Sequence, residues 1–377
     1  MLRQCSRYNC ADMPLTVQMW FHKMMQTDRL KAARKVFTIC YLPIQPNKIF
    51  NMFKTMLLSS VAVASASDYS STSHDNLRLL FDNFKKNFQK HYHQDENEHR
   101  FLNFVENLRL IDQRNAEERK AGGSAIHDIT KFSDLSAAEF ASRYLQARPS
   151  MKLSSTPVAD VEPYTGASSS VDWTGVYTTP VKNQGYCGSC WAFSATEQIE
   201  SDSMRTLSTS YILSPEQITQ CDTTSYGCNG GWTEHAYNYV KKAGGIETEK
   251  VYPYTSGNGV TGRCHADSSD MVIKVGGYTT IKGETNMANY MLSTGPLSVC
   301  LDANNWNSYT GGIMKNCGKQ VDHCVQAVGV DTGANGYWKV RNSWGSDWGE
   351  SGYIRLAYGD NTCDITSDPT YVSVSKA

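Results

Sequence analysis

The sequence lacks a long apolar run. No stretch of 18 or more apolar residues occurs in its 377 residues, so no segment has the pattern of a membrane-spanning helix. It lacks an excess of either charge. Lys and Arg number 36 against 37 Asp and Glu, a net of −1, which makes no electrostatic case for a nucleic-acid partner. It lacks an N-x-[ST] sequon, so a glycan-dependent sorting route has no support. It also lacks cysteine between Cys40 and Cys187. Of the twelve cysteines, Cys5, Cys10 and Cys40 precede that gap and nine lie from Cys187 to Cys363. Such clustering points to a disulfide-bearing C-terminal domain in an oxidising compartment, and an odd number leaves at least one thiol over.

The length implies two or more folded units. Residues 52–66, "MFKTMLLSSVAVASA", have the basic start, short apolar run and small-x-small end of a secretory signal peptide. That makes residues 1–51 a doubtful N-terminal extension, either an upstream artefact or a basic transit segment. Residues 1–66 are therefore set apart from the fold. Apolar positions Leu77, Leu80, Phe81, Phe84 and Phe88 predict a helix. Phe101, Phe104, Val105, Leu108 and Ile111 predict a second, stopped by Gly122-Gly123. The two are expected to pack as a helical hairpin. "SDLSAAEFASRYL" predicts a third short helix with Ser133 as its cap. Residues 147–170 are rich in Pro, Ser, Thr and Ala and read as an exposed, cleavable linker. Beyond it, Cys190–Met204 predicts a helix. "PLSVCLDA", "CVQAVGV", "YWKVRNSW" and "SGYIRLAYG" predict strands. A helix-rich half followed by a strand-rich half predicts an α+β fold of two lobes with a cleft between them.

Cys187 and Cys190 stand three apart in "NQGYCGSCWAFS". A redox dithiol needs C-x-x-C after a strand in a small βαβ unit, whereas "TTPVKNQGY" before Cys187 is turn-like. Zinc needs a second ligand pair at close spacing, and Cys221 and Cys228 are seven apart. Neither a metal nor a cofactor is expected. Cys187-Gly188-Ser189-Cys190-Trp191 fits C-G-[SA]-C-[WY], the local signature of papain-like peptidases. The chain resembles the papain family, and within it the cathepsin L-like branch, over roughly residues 75–377.

The chemistry is consistent with that resemblance. A cysteine nucleophile needs its thiolate, and a helix N-terminus with a neighbouring imidazolium can lower a thiol pKa to roughly 3–4. Cys190 stands at a predicted helix start. The resemblance implies His323 in "VDHCVQAVG" as its partner and Asn342 in "VRNSWG" as the group orienting the imidazole. It implies Trp344 as a cover over that pair and Gln184, with the Cys190 N–H, as the oxyanion donors. It implies a substrate cleft lined by Gly230, Gly231, Trp232, Cys300, Val321, Asp322, Cys324 and Trp344. Asp368 would lie at the floor of the main specificity pocket and favour Lys or Arg at the second substrate position before the cut. If "SDPT" is simply a turn, Asp368 faces solvent instead. The family pattern pairs Cys187 with Cys228, Cys221 with Cys264, and Cys317 with Cys363. Cys300 and Cys324 remain, either as buried thiols or as a fourth bridge, which would need Cα atoms within about 7 Å.

Glu96, Arg100, Phe104, Asn107, Ile111 and Asn115 match the E-x3-R-x3-F-x2-N-x3-I-x3-N pattern of cathepsin L-like propeptides. Their spacing keeps them on neighbouring parts of one helix surface, so they also serve helix packing. Phe132 and Asp134 match the second propeptide pattern, while Asp128 and Thr130 replace its Gly and Asn. The implied organisation is an inhibitory propeptide over 67–166 and a peptidase over 167–377, with a β-barrel-like right lobe and a helical left lobe. The peptidase part holds 14 Lys/Arg against 20 Asp/Glu, a net of −6, which suits a lysosome-like compartment, a digestive vacuole or secretion. The implied function is a monomeric cysteine endopeptidase made as a zymogen, inhibited by its own propeptide and acting on proteins and peptides. Three rivals stand against it. A non-catalytic protein of the same fold would be expected to lack the nucleophile, and Cys190 is present. An inhibitor acting through the pro-region alone would not need the attached peptidase. An exopeptidase would need an insertion closing one end of the cleft, and none of obvious size is present.

Overall fold

The computed structural model describes residues 68–147 and 156–377. The signal-peptide and extension readings, and part of the linker, lie outside them. In chain order the N-terminal half, the expected inhibitory one, holds α1 (His74–Asn87), α2 (Gln94–Lys120), β1 (Ile126–His127) and α3 (Ala137–Tyr144). Then follow β2 (Ser170–Asp172), α4 (Cys190–Leu207), α5 (Pro215–Cys221), α6 (Thr233–Ala243), β3 (Ile246–Glu247), β4 (Met271–Thr280) and α7 (Glu284–Ser293). The chain ends with β5 (Leu297–Leu301), β6 (Tyr309–Gly311), β7 (Ile313–Met314), β8 (His323–Asp331), β9 (Tyr337–Arg341), β10 (Tyr353–Ala357) and β11 (Thr370–Lys376).

The predicted helical hairpin is only a local contact. Phe81 and Phe84 meet Phe101 and Phe104 ring to ring, and Arg78 pairs with Glu98. The rest of the long α2 runs on beyond α1 toward the peptidase, where Arg114 and Glu118 find partners. The cap of α3 is Ser136, not Ser133. Ser136 accepts from the Glu139 N–H while the Glu139 carboxylate accepts from the Ser136 N–H, a reciprocal capping box. The Ser133 hydroxyl instead accepts from the Thr130 N–H.

The propeptide pattern forms one working face of α2. Arg100 bonds Glu96, Glu139 and the Asp134 carbonyl. Asn107 donates to the Ser133 and Leu135 carbonyls. Asn115 clamps both backbone groups of His127. Phe104 and Ile111 fill the core beneath. Asp134 accepts from Lys90 and Tyr92. The helix thus dictates the path of the returning segment 126–145.

The peptidase half has two hydrophobic cores. One gathers Trp191, Ala195 and Ile199 of α4 with Ala236, Tyr237 and Val240 of α6. The other is built on Trp306, Trp338, Trp344 and Trp348 with the inward residues of β5, β8, β9 and β10. Lobe order is not chain order. β11, the last strand, pairs along β4 and sends Val372 into the first core. The strands do not close into a barrel. They form an open nine-stranded sheet, order β3-β4-β11-β5-β8-β9-β10-β7, with β2 added on β8, and its outer strands β3 and β7 are two residues long and do not meet. β1 of the inhibitory half adds to β6, with His127 opposite Tyr309.

Candidate active site

Cys190 is the first residue of α4, and Ser189 before it makes no side-chain cap. The first amides of the helix therefore face the sulfur with their positive ends. Cys190 is the only free cysteine among the described residues. The structure bridges Cys187–Cys228, Cys221–Cys264 and Cys317–Cys363, and it also bridges Cys300–Cys324 with Cα atoms 4.0 Å apart.

His323 opens β8. Its Nε2 lies 2.8 Å from Asn342 Oδ1, which also accepts from the Ser343 N–H. The Trp344 ring lies 4.8 Å from the imidazole, so the His323–Asn342 bond is covered from water. Gln184 is aimed by a residue the sequence reading passed over. Ser343 Oγ donates to Gln184 Oε1 at 2.6 Å, and the Gln184 N–H donates to the Ser343 carbonyl. The amide NH2 must then point the other way. It donates to the Cys187 carbonyl at 2.9 Å and reaches the Tyr144 carbonyl at 3.4 Å. Ser343 lies between Asn342 and Trp344 in "RNSWG", and a serine there carries no signal of its own.

The inhibitory segment occupies this site. The Ala147 N–H donates to the Asp322 carbonyl at 2.8 Å, and Ala147 forms a parallel bridge with Gly231, whose N–H donates to the Gln146 carbonyl. The Gln146 backbone faces the Cys190 sulfur. Gly188 permits the approach, since a Cβ there would sit 2.5 Å from the Gln146 side chain; a Cβ on Gly231 would instead strike the Trp191 ring, also at 2.5 Å. Gly230 turns the wall at φ +109°. Ala147, Cys190, Trp232, Cys300 and Cys324 form one buried cluster edged by Val321.

Burial changes the charges. It pushes the Cys190 thiol up to about 11, against the help of nearby backbone amides. It holds His323 down to about 4, against the pull of Asn342 and the Tyr144 carbonyl. While the segment covers them, burial thus favours the neutral form of each group. Asp322 is also raised, to about 7, by burial first and by nearby Asp302 second. Asp368 is buried and does not face solvent. Buried Glu197 and Glu200 behind the site pair with Arg341 and Lys182.

Comparison with known proteins gives a consistent result. The family described as "Papain family cysteine protease" matches residues 167–373, and "Cathepsin propeptide inhibitor domain (I29)" matches residues 81–140. "Cysteine proteinase 1" of Dictyostelium discoideum is 38% identical over 315 residues, spanning 78% of this chain and 90% of that protein. "Cathepsin L 2" of Paramecium tetraurelia is 38% identical over 299 residues, spanning 78% and 91%. The solved structure of digestive procathepsin L 3 from the Tenebrio molitor larval midgut superposes with a TM-score of 0.70 at 30% identity, covering 80% of this chain and all of that one.

Proposed function

Because the chain belongs to the papain family of cysteine proteases and carries a cathepsin-type propeptide inhibitor domain, we propose that Cys190 is its nucleophile and that residues 144–147 are the segment that silences it. The protein is a cysteine endopeptidase made as a zymogen. The observation that carries the site assignment is the seating of Ala147 between Asp322 and Gly231, with the Gln146 backbone over the Cys190 sulfur.

Removal of the segment rehydrates the site and lifts the burial that keeps Cys190 and His323 neutral. The proton then passes from the thiol to the imidazole, and the helix start stabilises the thiolate. Cys190 attacks the scissile carbonyl carbon. Gln184 Nε2 and the Cys190 N–H hold the oxyanion, a donor of this kind contributing about 3–4 kcal/mol to the barrier. His323 donates its proton to the leaving amine, giving a thioester. Water, deprotonated by His323, then releases the acid and restores the thiol. Asn342 keeps the imidazole plane fixed throughout, and Ser343 keeps the Gln184 amide facing the oxyanion. A productive substrate pairs antiparallel to Gly231, whereas the inhibitory segment pairs parallel and so presents no scissile carbonyl to Cys190.

The peptidase begins near Ala167, in the exposed stretch before β2, and the propeptide spans 67–166. The mature enzyme acts as a monomer in a lysosome-like compartment or outside the cell, at acidic pH. Asp368 favours Lys or Arg at the second position before the cut, and a strong preference for Leu over Arg would refute that. The central test is to acidify the purified precursor, sequence the new N-terminus and profile the peptides cleaved. Activity that survives Cys190→Ala would end the assignment of the nucleophile.

A further inference from the structure

Behind Cys190 and His323 the two lobes are joined by polar side chains. α4 packs in the first hydrophobic core, while β8 and β9 pack in the second. Apolar packing has no direction and lets such surfaces slide, whereas hydrogen bonds fix distance and tilt. The seam between α4 and the two strands uses hydrogen bonds. Ser194 Oγ donates to the Val325 carbonyl at 2.7 Å, one turn into the helix. That is a single point, about which the helix can pivot. A second point lies deeper, at Gln326. Its Nε2 reaches the Ser201 hydroxyl at 2.9 Å, Gln198 Oε1 at 3.1 Å and the Glu197 carbonyl at 3.2 Å.

Arg341 decides which way this amide faces. A guanidinium has donors only, so Arg341 Nη2, 2.6 Å from Gln326 Oε1, turns the oxygen toward β9 and the NH2 toward α4. Arg341 stands opposite Gln326 in the ladder of β8 with β9. It is itself held by the Thr179 carbonyl, 2.6 Å from Nη1, and by the Glu197 carboxylate, 3.5 Å from Nε. Glu197, Gln326 and Arg341 are all buried. Such a group is a poor device for stability. Burial lifts the Glu197 carboxyl to about 7, against the pull of Arg341 and Lys182. Neither Glu197 Oε1 nor Arg341 Nε makes a hydrogen bond among the described residues. Well-packed apolar side chains in place of a buried ion pair are often neutral or stabilising. What the group adds is a fixed separation. At about 1.5 Å per helical residue, Glu197 lies about 10 Å along α4 from Cys190. At about 3.3 Å per strand residue, Gln326 lies about 10 Å along β8 from His323. Arg341 immediately precedes Asn342. The cross-link therefore joins two arms of similar length, one ending in the thiol and the other in the imidazole.

We propose that Gln326, Arg341 and Glu197 are positioning residues for the reaction, a strut that sets the distance between the Cys190 sulfur and the His323 imidazole in the uncovered enzyme. This rests on the reading of Cys190 and His323 as the reacting pair. The strut acts through α4 and β8, and no bond forms or breaks on it.

The test uses the processed enzyme. It reads steady-state constants on one peptide, the pH profile of Cys190 labelling by a neutral alkylating agent, and Tm. Glu197→Met/Gln326→Leu/Arg341→Met replaces the strut with apolar side chains of similar size. It should lower kcat by about 10- to 100-fold and keep KM within about 3-fold, the scale of a displacement near 1 Å between reacting groups. The acid limb of the labelling profile should move up by about one pH unit, because a more distant imidazolium supports the thiolate less. Tm should not fall. Gln326→Met alone, which cuts the link to α4 and keeps both charges, should move kcat and the acid limb in the same directions by smaller factors. It decides the matter if the triple variant does not fold. A wild-type kcat with an unmoved acid limb overturns the proposal. So does a fall in kcat that follows a fall in Tm while the limb stays in place, or the failure of both variants to fold, since either is a role in the fold alone. A wild type that labels and cleaves while its variants match it refutes the strut only, whereas a wild type that neither labels nor cleaves refutes the reading of Cys190 and His323.

Discussion

The inhibitory half meets the peptidase in two places that are built differently. In the cleft, Gln146 and Ala147 are held by backbone hydrogen bonds to Asp322 and Gly231, and the surrounding cluster is apolar. Along the strand-rich lobe side chains are added to the backbone pairing of β1 with β6. Arg114 donates to Asn307 and Ser308, and His127 Nδ1 lies 2.9 Å from the same Ser308 hydroxyl. Thr130 donates to the Asn307 carbonyl, and Lys131 to the Trp344 carbonyl and Asp347. Glu118 accepts from the Lys315 and Asn316 N–H groups. Phe132, Phe140 and Tyr144 pack against Trp344. The cleft contact covers Cys190, while the lobe contact carries His127.

Acid should act on the two places with opposite sign. Burial, with Arg114 beside it, holds His127 down to about 3 when docked, against an ordinary value near 6.5. The other charged groups nearby are engaged elsewhere: Glu118 with backbone, Asp128 with Tyr69, and Glu350 with Arg355. A free propeptide therefore binds a proton that the docked one refuses. Docking is fully supported above pH 6.5 and weakens as the pH falls from there toward 3. Asp322 runs the other way. Its carboxyl is raised to about 7 when covered, so acid eases its burial.

The largest expected effect lies wholly on the cleft side. Gln184→Ala should lower kcat by about 10²–10³-fold in the mature enzyme and leave propeptide docking nearly intact, since its contact with Tyr144 is long at 3.4 Å. Steady-state kinetics and the labelling rate of Cys190 in the full chain separate the two. Arg114→Ala removes a half-buried charge-assisted anchor from the lobe contact and should weaken docking by about 2 kcal/mol, with no effect on kcat after processing. It should show as labelling of Cys190 in the zymogen at neutral pH. His127→Gln, which keeps a polar partner for Ser308 but does not titrate, should flatten the acid response. The wild type should lose about 2 kcal/mol of docking free energy, roughly 30-fold, between neutral pH and pH 5, and the variant should not. Parallel pH slopes for the two zymogens would remove His127 as the acid-sensitive group. The smallest effect is expected from Gln146→Ala, within about 0.5 kcal/mol, because the cleft segment is held by its backbone. A large loss there would erase the distinction between the two contacts.

The same contrast explains what was legible in the sequence. Cys190, His323, Asn342 and Gln184 stood out because each sits among distinctive neighbours, and three of the bridges matched the same pattern, while Cys300 and Cys324 stayed open between a bridge and two thiols until the structure paired them. Residues 144–147 carry no such mark, since a backbone pairing places few demands on side chains. β1 is two residues whose partner strand lies some 180 positions away, and no local periodicity reports that. Ser133 and Ser136 compete for the same cap, and only Ser136 has a glutamate three residues on to complete the box. The return of β11 to the first core and the open sheet depend on pairings between distant segments, which alternation alone does not encode.

The neutral state of the covered Cys190 has a consequence outside proteolysis. Peroxides, electrophiles and disulfides react with thiolates far faster than with thiols. A sulfur with its pKa pushed to about 11 and no exposed surface is a poor target for all of them. The covering segment therefore also shields this one thiol of the zymogen from such reagents, beside four disulfides that are already closed. The nine cysteines from Cys187 to Cys363 thus stand as four bridges and one hidden thiol.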